Sequence, residues 1–320
     1  RIDLPLPGAG VIRSAFEIDG VKLDGSGSLR GDLNITLENL QLFDELLDPV
    51  EELAGSLRLS VKLSGVTADP DFDGVFDLSG VSFTIPSLGT EVSKLSLRGR
   101  VNNADRLTLR GAFESGEGSG SLTAEAMFED WNDLRLDTRL QGSRLAVVRL
   151  PDLEADLSPD IQLAYEQGRW QVSGTAAIPS ATVTPLTIGV TRIDESADVV
   201  IVAGAPATIV ERESKRPLQI DGSIAVTLGD AVNVVMDIAN LGLTGAVDLL
   251  WAGDLTPTAQ GEIRINGDVT AWGPRLAISG GRVRWTGEPL NNPQLDVRAE
   301  RDVFGNTLVR TAGVRERARR

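Results

Sequence analysis

The chain has no histidine and no cysteine among its 320 residues. The first absence removes the base of Ser–His and Cys–His nucleophile systems and every imidazole metal ligand. The second removes disulfides and thiolate metal sites, and is compatible with a periplasm-like compartment. Aromatic residues are scarce, at 8 Phe, 5 Trp and 1 Tyr. Any apolar surface is therefore built mainly from Leu, Val, Ile and Ala. Basic residues number 31 against 46 acidic ones, for a formal net charge of −15. That balance opposes nucleic acid as a partner, because phosphates need compensating Lys and Arg. The sequence contains no uninterrupted apolar run of about 18 residues and no basic-then-apolar leader, so nothing in it reads as a spanning helix or an export signal. The first residue is Arg1 rather than Met, which reads as a piece of a longer protein with any anchor outside it.

What is present is alternation. Leu57, Leu59, Val61 and Leu63 are interleaved with Arg58, Ser60, Lys62 and Ser64, the pattern of a half-buried strand whose side chains point to opposite faces in turn. The same pattern recurs at Leu33-Ile35-Leu37, Leu95-Leu97, Leu107-Leu109-Gly111-Phe113, Leu134-Leu136, Ile161-Leu163-Tyr165 and Trp170-Val172. It continues at Ile220-Gly222-Ile224-Val226-Leu228, Val234-Met236-Ile238 and Val247-Leu249-Trp251. It returns at Ile263-Ile265, Leu276-Ile278, Val283-Trp285 and Leu295-Val297. Strands at roughly 10–15-residue spacing, roughly twenty in all, predict an all-β chain. Turns fall at Asn102 to Asp105, Gly116 to Gly120, Glu166-Gln167-Gly168 and Asp254 to Pro257. Such short connections leave no room for crossover helices, so the sheet should be largely antiparallel. A sheet with one apolar face must close into a barrel, fold onto a second sheet or curl into a trough, and periodicity does not choose among these.

One segment has helical spacing. Between Gln41 and Ala54 the apolar residues Leu42, Phe43, Leu46, Leu47, Val50 and Leu53 are separated by acids, with Gly55 placed to end the helix and Pro49 to kink it. It reads as a plug at the end of the β core or as a lid over an apolar opening, with Leu42, Phe43, Leu46, Leu47 and Val50 as the lid residues. Ala203 to Pro217, with Glu211 to Arg216 inside it, reads as an exposed loop and a possible subdivision. The basic residues Arg310, Arg315, Arg317, Arg319 and Arg320 read as a solvated terminus over 306–320 rather than a binding patch.

Two motifs carry no chemistry. Asp69-Pro70-Asp71-Phe72-Asp73-Gly74 imitates the start of a calcium loop, but the closing Glu would fall on Gly80. It reads as a strand-to-strand turn. Gly116, Gly118 and Gly120 lack the strand-to-helix context of a phosphate cradle and read as a hairpin tip. The acids that alternate with apolar residues have the pattern of a solvated face, so no catalytic residue, metal site or cofactor is expected.

The turns share a form. Gly65 through Asp69-Pro70 to Gly74 is echoed by Gly253 through Pro257 to Gly261, and loosely by Gly287 through Pro289 and Pro293 to Leu295. Proline in these places ends one strand and starts the next, which suggests an array that grows by addition. The succession Leu42…Leu53-Ala54-Gly55, the strand Leu57 to Leu63, and the turn Pro70 to Gly74 resembles the TamB family. So do Ser158-Pro159-Asp160-Ile161 through Trp170 to Ala181, and Ala197 to Val202. The most specific part runs from Gly261 through Ala271-Trp272-Gly273-Pro274, Ile278 to Val283 and Gly287 to Pro293, ending at Asp296 to Arg301. Individual motifs are loose and their order is the strong signal.

The resemblance covers about residues 15 to 305 and implies an elongated, curled β-trough, continuous over 1–305, with an aliphatic interior. It implies a periplasmic segment of a protein anchored in the inner membrane, with no enzymatic activity. The implied role is phospholipid transport between membranes and outer-membrane protein assembly with a TamA-like barrel partner. The chain ends in Val314 to Arg320 where the family continues, so the region expected to reach that partner is read as lying beyond it.

The groove-lining expectation gathers one side of each strand: Leu57, Leu59, Val61, Leu63, Leu95, Leu97, Leu107, Leu109, Phe113, Ile161, Leu163, Trp170, Val172, Ile220, Ile224, Val226, Leu228, Val234, Met236, Ile238, Leu249, Trp251, Ile263, Ile265, Leu276, Ile278, Val283 and Trp285. The expected occupants are phospholipid acyl chains. Two competitors use the same alternation: a scaffold or chaperone that offers an edge strand to unfolded outer-membrane proteins, and a structural spacer with a dry, closed core.

Overall fold

A computed structural model of the chain describes residues 2–6, 8–19, 27–46, 49–66, 69–102, 105–130, 133–185, 219–270 and 275–301. Nearly all of this length is strand. The described elements are β1 (Ile2–Leu6), β2 (Gly10–Asp19), β3 (Ser28–Leu37), a 3₁₀ helix (Gln41–Leu46), β4 (Glu51–Val66), β5 (Asp69–Ile85), β6 (Thr90–Asn102), β7 (Arg106–Ser115) and β8 (Gly118–Asp130). They continue with β9 (Asp133–Ser143), β10 (Leu145–Leu150), β11 (Leu153–Glu166), β12 (Arg169–Val183), β13 (Gln219–Met236), β14 (Ala239–Ala252), β15 (Thr258–Thr270), β16 (Arg275–Pro289) and β17 (Gln294–Glu300).

From β1 to β9 each strand pairs antiparallel with its neighbour in sequence. β11 then takes two partners along one edge, β9 at Asp160–Tyr165 and β10 at Leu153–Leu157. From β11 to β17 the succession resumes, antiparallel throughout except that β12 and β13 run parallel. The result is one open, mixed sheet of 17 strands among the described residues, not a closed barrel. Its elongated, curled all-β form agrees with the sequence. The sheet is largely antiparallel, as expected, with this one parallel pair among the described strands. A parallel neighbour requires a connection that returns along the sheet, here between Val183 and Gln219, and residues 186–218 lie outside the described residues. The exposed-loop reading of 203–217 and the basic terminus of 306–320 therefore fall outside them too.

Bending is written into the long strands as bulges. The register shifts between Glu51 and Ser56 in β4, Leu78 and Phe83 in β5, and Ser93 and Ser96 in β6. It shifts again between Ala155 and Ser158 in β11, Ile178 and Ser180 in β12, and Leu228 and Asn233 in β13. Glu52 and Lys94 adopt positive φ within such breaks (59° and 50°). An extra residue bends the bulged strand and increases its local twist. β9 and β10 behave as one strand folded at Arg144, also at φ 50°. Beyond that fold β10 leans over neighbouring hairpin tips. Arg149 donates its backbone N–H to Leu88 O (2.8 Å), and Ser115 donates its hydroxyl to Ala146 O (2.7 Å).

Four sequence expectations are corrected. The helical segment is one short 3₁₀ helix, Gln41–Leu46, and Glu51 to Ala54 already belong to β4. Pro49 follows closely, and the Asp44 carboxylate accepts the backbone N–H groups of Glu52 and Leu53 (3.3 and 3.1 Å), which fixes β4 beside the helix. Asp69 to Gly74 are strand rather than turn, because Val66 already pairs with Asp69. Ile238 is not a strand residue. It sits in the turn between β13 and β14 and is 58% exposed. Leu276-Ile278 and Val283-Trp285 lie in a single strand, β16, bent at a bulge between Ile265 and Asp268 of its partner β15.

The buried core is small and sits in two places. Near the first hairpins Leu37, Leu40, Leu53 and Val81 are buried, with Leu57, Leu78, Leu95 and Phe43 packed against them. Near the other end Val247, Ala259 and Trp285 are buried, flanked by Leu249, Ile263 and Val283.

Candidate functional site

Register converts alternation within strands into rows across them. One row runs Leu6, Gly10, Leu37, Leu57, Leu78, Leu97, Gly111, Leu122, Leu140, Ile161, Gly174, Ile224, Leu249, Ala259, each directly opposite the next. A second runs Ile12, Ile35, Leu59, Phe76, Gly99, Leu109, Ala124, Thr138, Leu163, Val172, Gly222, Trp251. A third holds Val61, Gly74, Val101, Leu107, Ala126, Leu136, Tyr165, Trp170 and Ile220. Toward the C-terminal strands the rows become Val226–Val247–Gly261–Trp285 and Leu228–Gly245–Ile263–Val283–Leu295. Ile265–Gly281–Val297 and Met236–Ala239–Val269–Leu276 follow.

These rows collect the residues singled out from the sequence. Leu63 joins beside them opposite Phe72 and Gly31, Leu95 opposite Val81, Phe113 opposite Gly120, and Val234 opposite Leu241. Ile278 packs toward Gly281, its Cγ2 standing 3.2 Å from where a Cβ there would lie. Ile238 alone lies off the face, in its turn. The remaining 27 named positions are half-buried, except for Trp285, which is buried. No large side chain among the described residues is completely enclosed. The apolar face is lined, but it is not filled.

Sequence reading missed Phe76, Leu78, Leu122 and Leu140, which complete the rows. Phe76 and Leu78 follow a stretch taken for a turn. Leu122 is flanked in β8 by the inward positions Gly120, Ala124 and Ala126, so its alternation is faint. Interior glycines are the other unread signal. A Cβ on Gly111 would stand 2.6 Å from Leu97 Cδ1, and one on Gly120 2.4 Å from the Phe113 ring. Large side chains lie close against these glycines, the crowding expected on the inner face of a curled sheet.

Of the lid residues, Phe43 packs into the cluster around Leu37 and Leu53, Leu42 is 59% exposed, and Val50 is half-buried. The Leu46 side chain and Leu47 lie outside the described residues. The 3₁₀ helix thus rests on one end of the apolar rows at β3 to β6.

The opposite face is charged and internally paired. Arg98 bonds Asp77 (2.8 Å), Arg139 grips Asp160 through Nε and Nη2 (both 2.9 Å), and Arg284 meets Glu262 (2.7 Å). Hydrogen bonds from Ser79 and then Arg98 lower the Asp77 carboxyl, Arg139 lowers Asp160, and Arg284 lowers Glu262. Burial pushes Asp156 up, but Arg149, Ser180 and Arg144 outweigh it and leave the carboxyl below its ordinary value. A depression over β7 to β12 is lined by Arg110, Thr123, Glu125, Asp137, Arg139 and Gln162. Its Glu125 and Arg139 are already paired, with Arg106 and Asp160. Among the described residues no three carboxylates stand close enough to hold a metal ion.

The described residues thus form an open β-sheet with one lined, unfilled apolar face and one charged face carrying several ion pairs. A family model described as the TamB C-terminal domain matches residues 105–315, and the chain belongs to the TamB family. That is a family of non-enzymatic envelope proteins that work with an outer-membrane partner, and this chain has a TamB-family role in the envelope. No helix of the described residues is long and apolar enough to cross a membrane. No solved structure matches the chain.

Proposed function

We propose that this chain shields phospholipid acyl chains on its apolar face during transport between the inner and outer membranes. The observation that carries this reading is the set of aliphatic rows, the longest crossing fourteen strands, mostly half-buried and enclosed only at core positions such as Leu37 and Ala259. Each buried methylene contributes about 0.8 kcal/mol, so a row of Leu, Ile and Val at even spacing offers hydrocarbon a continuous path with no deep well. Few hydrogen-bonding groups interrupt it, which suits chains of many lipids. The periplasm is the compartment this reading requires, with a longer protein anchored in the inner membrane.

Lipid extraction and mass spectrometry on the 320-residue chain, purified without detergent from a bacterial periplasm, tests the reading. Phospholipid in defined ratio is the expected result, lost in Ile224→Asp while circular dichroism stays unchanged. A lipid-free, well-folded protein would sink it.

A second reading has its own support. Among the described residues β1 pairs only with β2, and β17 only with β16. Open edges offer backbone groups to an incoming strand, as a scaffold for outer-membrane protein assembly with a TamA-like barrel would use. Peptide crosslinks confined to β17, with no bound lipid, would favour it.

A further inference from the structure

The two ends of the strands differ in chemistry over β11 to β17. At the end marked by the turns 166–168, 253–257 and 290–293 stand Tyr165, Trp170, Trp251 and Trp285. Tyr165 and Trp170 face each other across β11 and β12, ring centroids 4.8 Å apart and tilted by 49°. The other two indoles share one device. Trp251 donates its Nε1–H to Leu255 O (3.3 Å) and Trp285 donates to Leu290 O (3.0 Å). Each N–H therefore reaches outward to the backbone of its turn while the ring lies on the apolar face. Leu255 and Leu290 themselves are exposed at the tips. At the opposite strand ends the same face carries only aliphatic side chains and one thioether: Leu153, Val183, Val234, Met236 and Leu276.

Amphipathic rings with the polar edge toward water and the apolar body inward belong at a hydrocarbon–water boundary. An aliphatic rim has no such preference. We propose that a two-chain lipid held on the β11–β17 half of the face is polarised across the strands. Its ester and headgroup end lies at the lip formed by Tyr165, Trp170, Trp251 and Trp285, and its chain ends lie toward the Met236–Leu276 lip. This rests on the acyl-shielding reading above and adds to it an orientation and a ligand class, an amphiphile with a polar, hydrogen-bonding end.

Tryptophan quenching tests it. In a chain carrying Trp131→Phe and Trp272→Phe, the remaining indoles are the three at this lip. The probes are two phosphatidylcholines, one brominated near the ester end of its acyl chains and the other near the terminal methyls. Each is loaded in equal, measured ratio, with circular dichroism confirming the fold. Ester-end bromines are expected to quench several-fold more than methyl-end bromines. Equal quenching, stronger quenching from the methyl end, or bound lipid that quenches from neither position overturns the orientation while leaving acyl shielding intact. Failure of either lipid to bind removes the acyl-shielding reading, and the orientation with it.

Discussion

Ile224 sits near the C-terminal end of the longest apolar row, between Gly174 and Leu249, and is half-buried. A carboxylate there keeps access to water, so Ile224→Asp is expected to fold, in contrast to a charge placed in an enclosed core. Gly111 is less forgiving. Its Cβ would meet Leu97 Cδ1 at 2.6 Å and Ser96 O at 2.9 Å, and the second contact is backbone. Gly111→Val is expected to cost about 1–3 kcal/mol by overpacking, read as a lower urea midpoint. Glu288 reports on pH. The Thr286 and Glu288 backbone N–H groups, then the Thr286 hydroxyl and the Gln294 amide, hold its carboxyl down from 4.5 to about 2. A depressed carboxyl adds stability above its unfolded value, and that contribution is lost as pH falls from about 4.5 to about 2. Hydrogen exchange in the β16–β17 hairpin should therefore quicken relative to the rest of the sheet across that window. Glu288→Gln should abolish the difference.

Among the elements, the 3₁₀ helix and the bulged strands decide most. The helix is tied to β4 by one carboxylate, Asp44, which accepts two backbone N–H groups. Asp44→Ala should cost about 1 kcal/mol, as the loss of comparable capping bonds does, and raise hydrogen exchange at Glu52 and Leu53 first. A global loss of protection would instead mean that the helix is integral to the sheet. The spacing of Leu42, Phe43 and Leu46 announced a helix here, but its length was not legible. Helical periodicity persists through Val50 and Leu53, while pairing of Glu51 with Thr84 and burial of Leu53 in the sheet draw that stretch into β4. Propensity lost to tertiary contact, as it commonly does for short segments. Bulges were equally invisible, because an extra residue at Glu52 or Lys94 leaves the local alternation almost undisturbed. Rows on either side then stay in phase only through pairing with distant strands.

Across the whole molecule, sheet edges and sheet face make different predictions. If the face is the working surface, changes at β17 that blunt its edge, such as Val297→Pro, should leave lipid ratio unchanged. If the edge is the working surface, that change should abolish peptide crosslinking while Ile224→Asp does not. Measuring both readouts on both variants separates the readings.

The sequence by itself determined the β class, the split of each strand into one apolar and one wet side, and the exclusion of histidine and cysteine chemistry. Those are local properties, since a side chain's face follows from its parity within its own strand. Only the tertiary structure decided that Leu6 and Ala259 lie in one row, that β12 and β13 run parallel, and that the sheet stays open. Register, bulges and closure arise from pairings between residues far apart in sequence, where a two-residue period fits many partners equally well and long-range packing selects one.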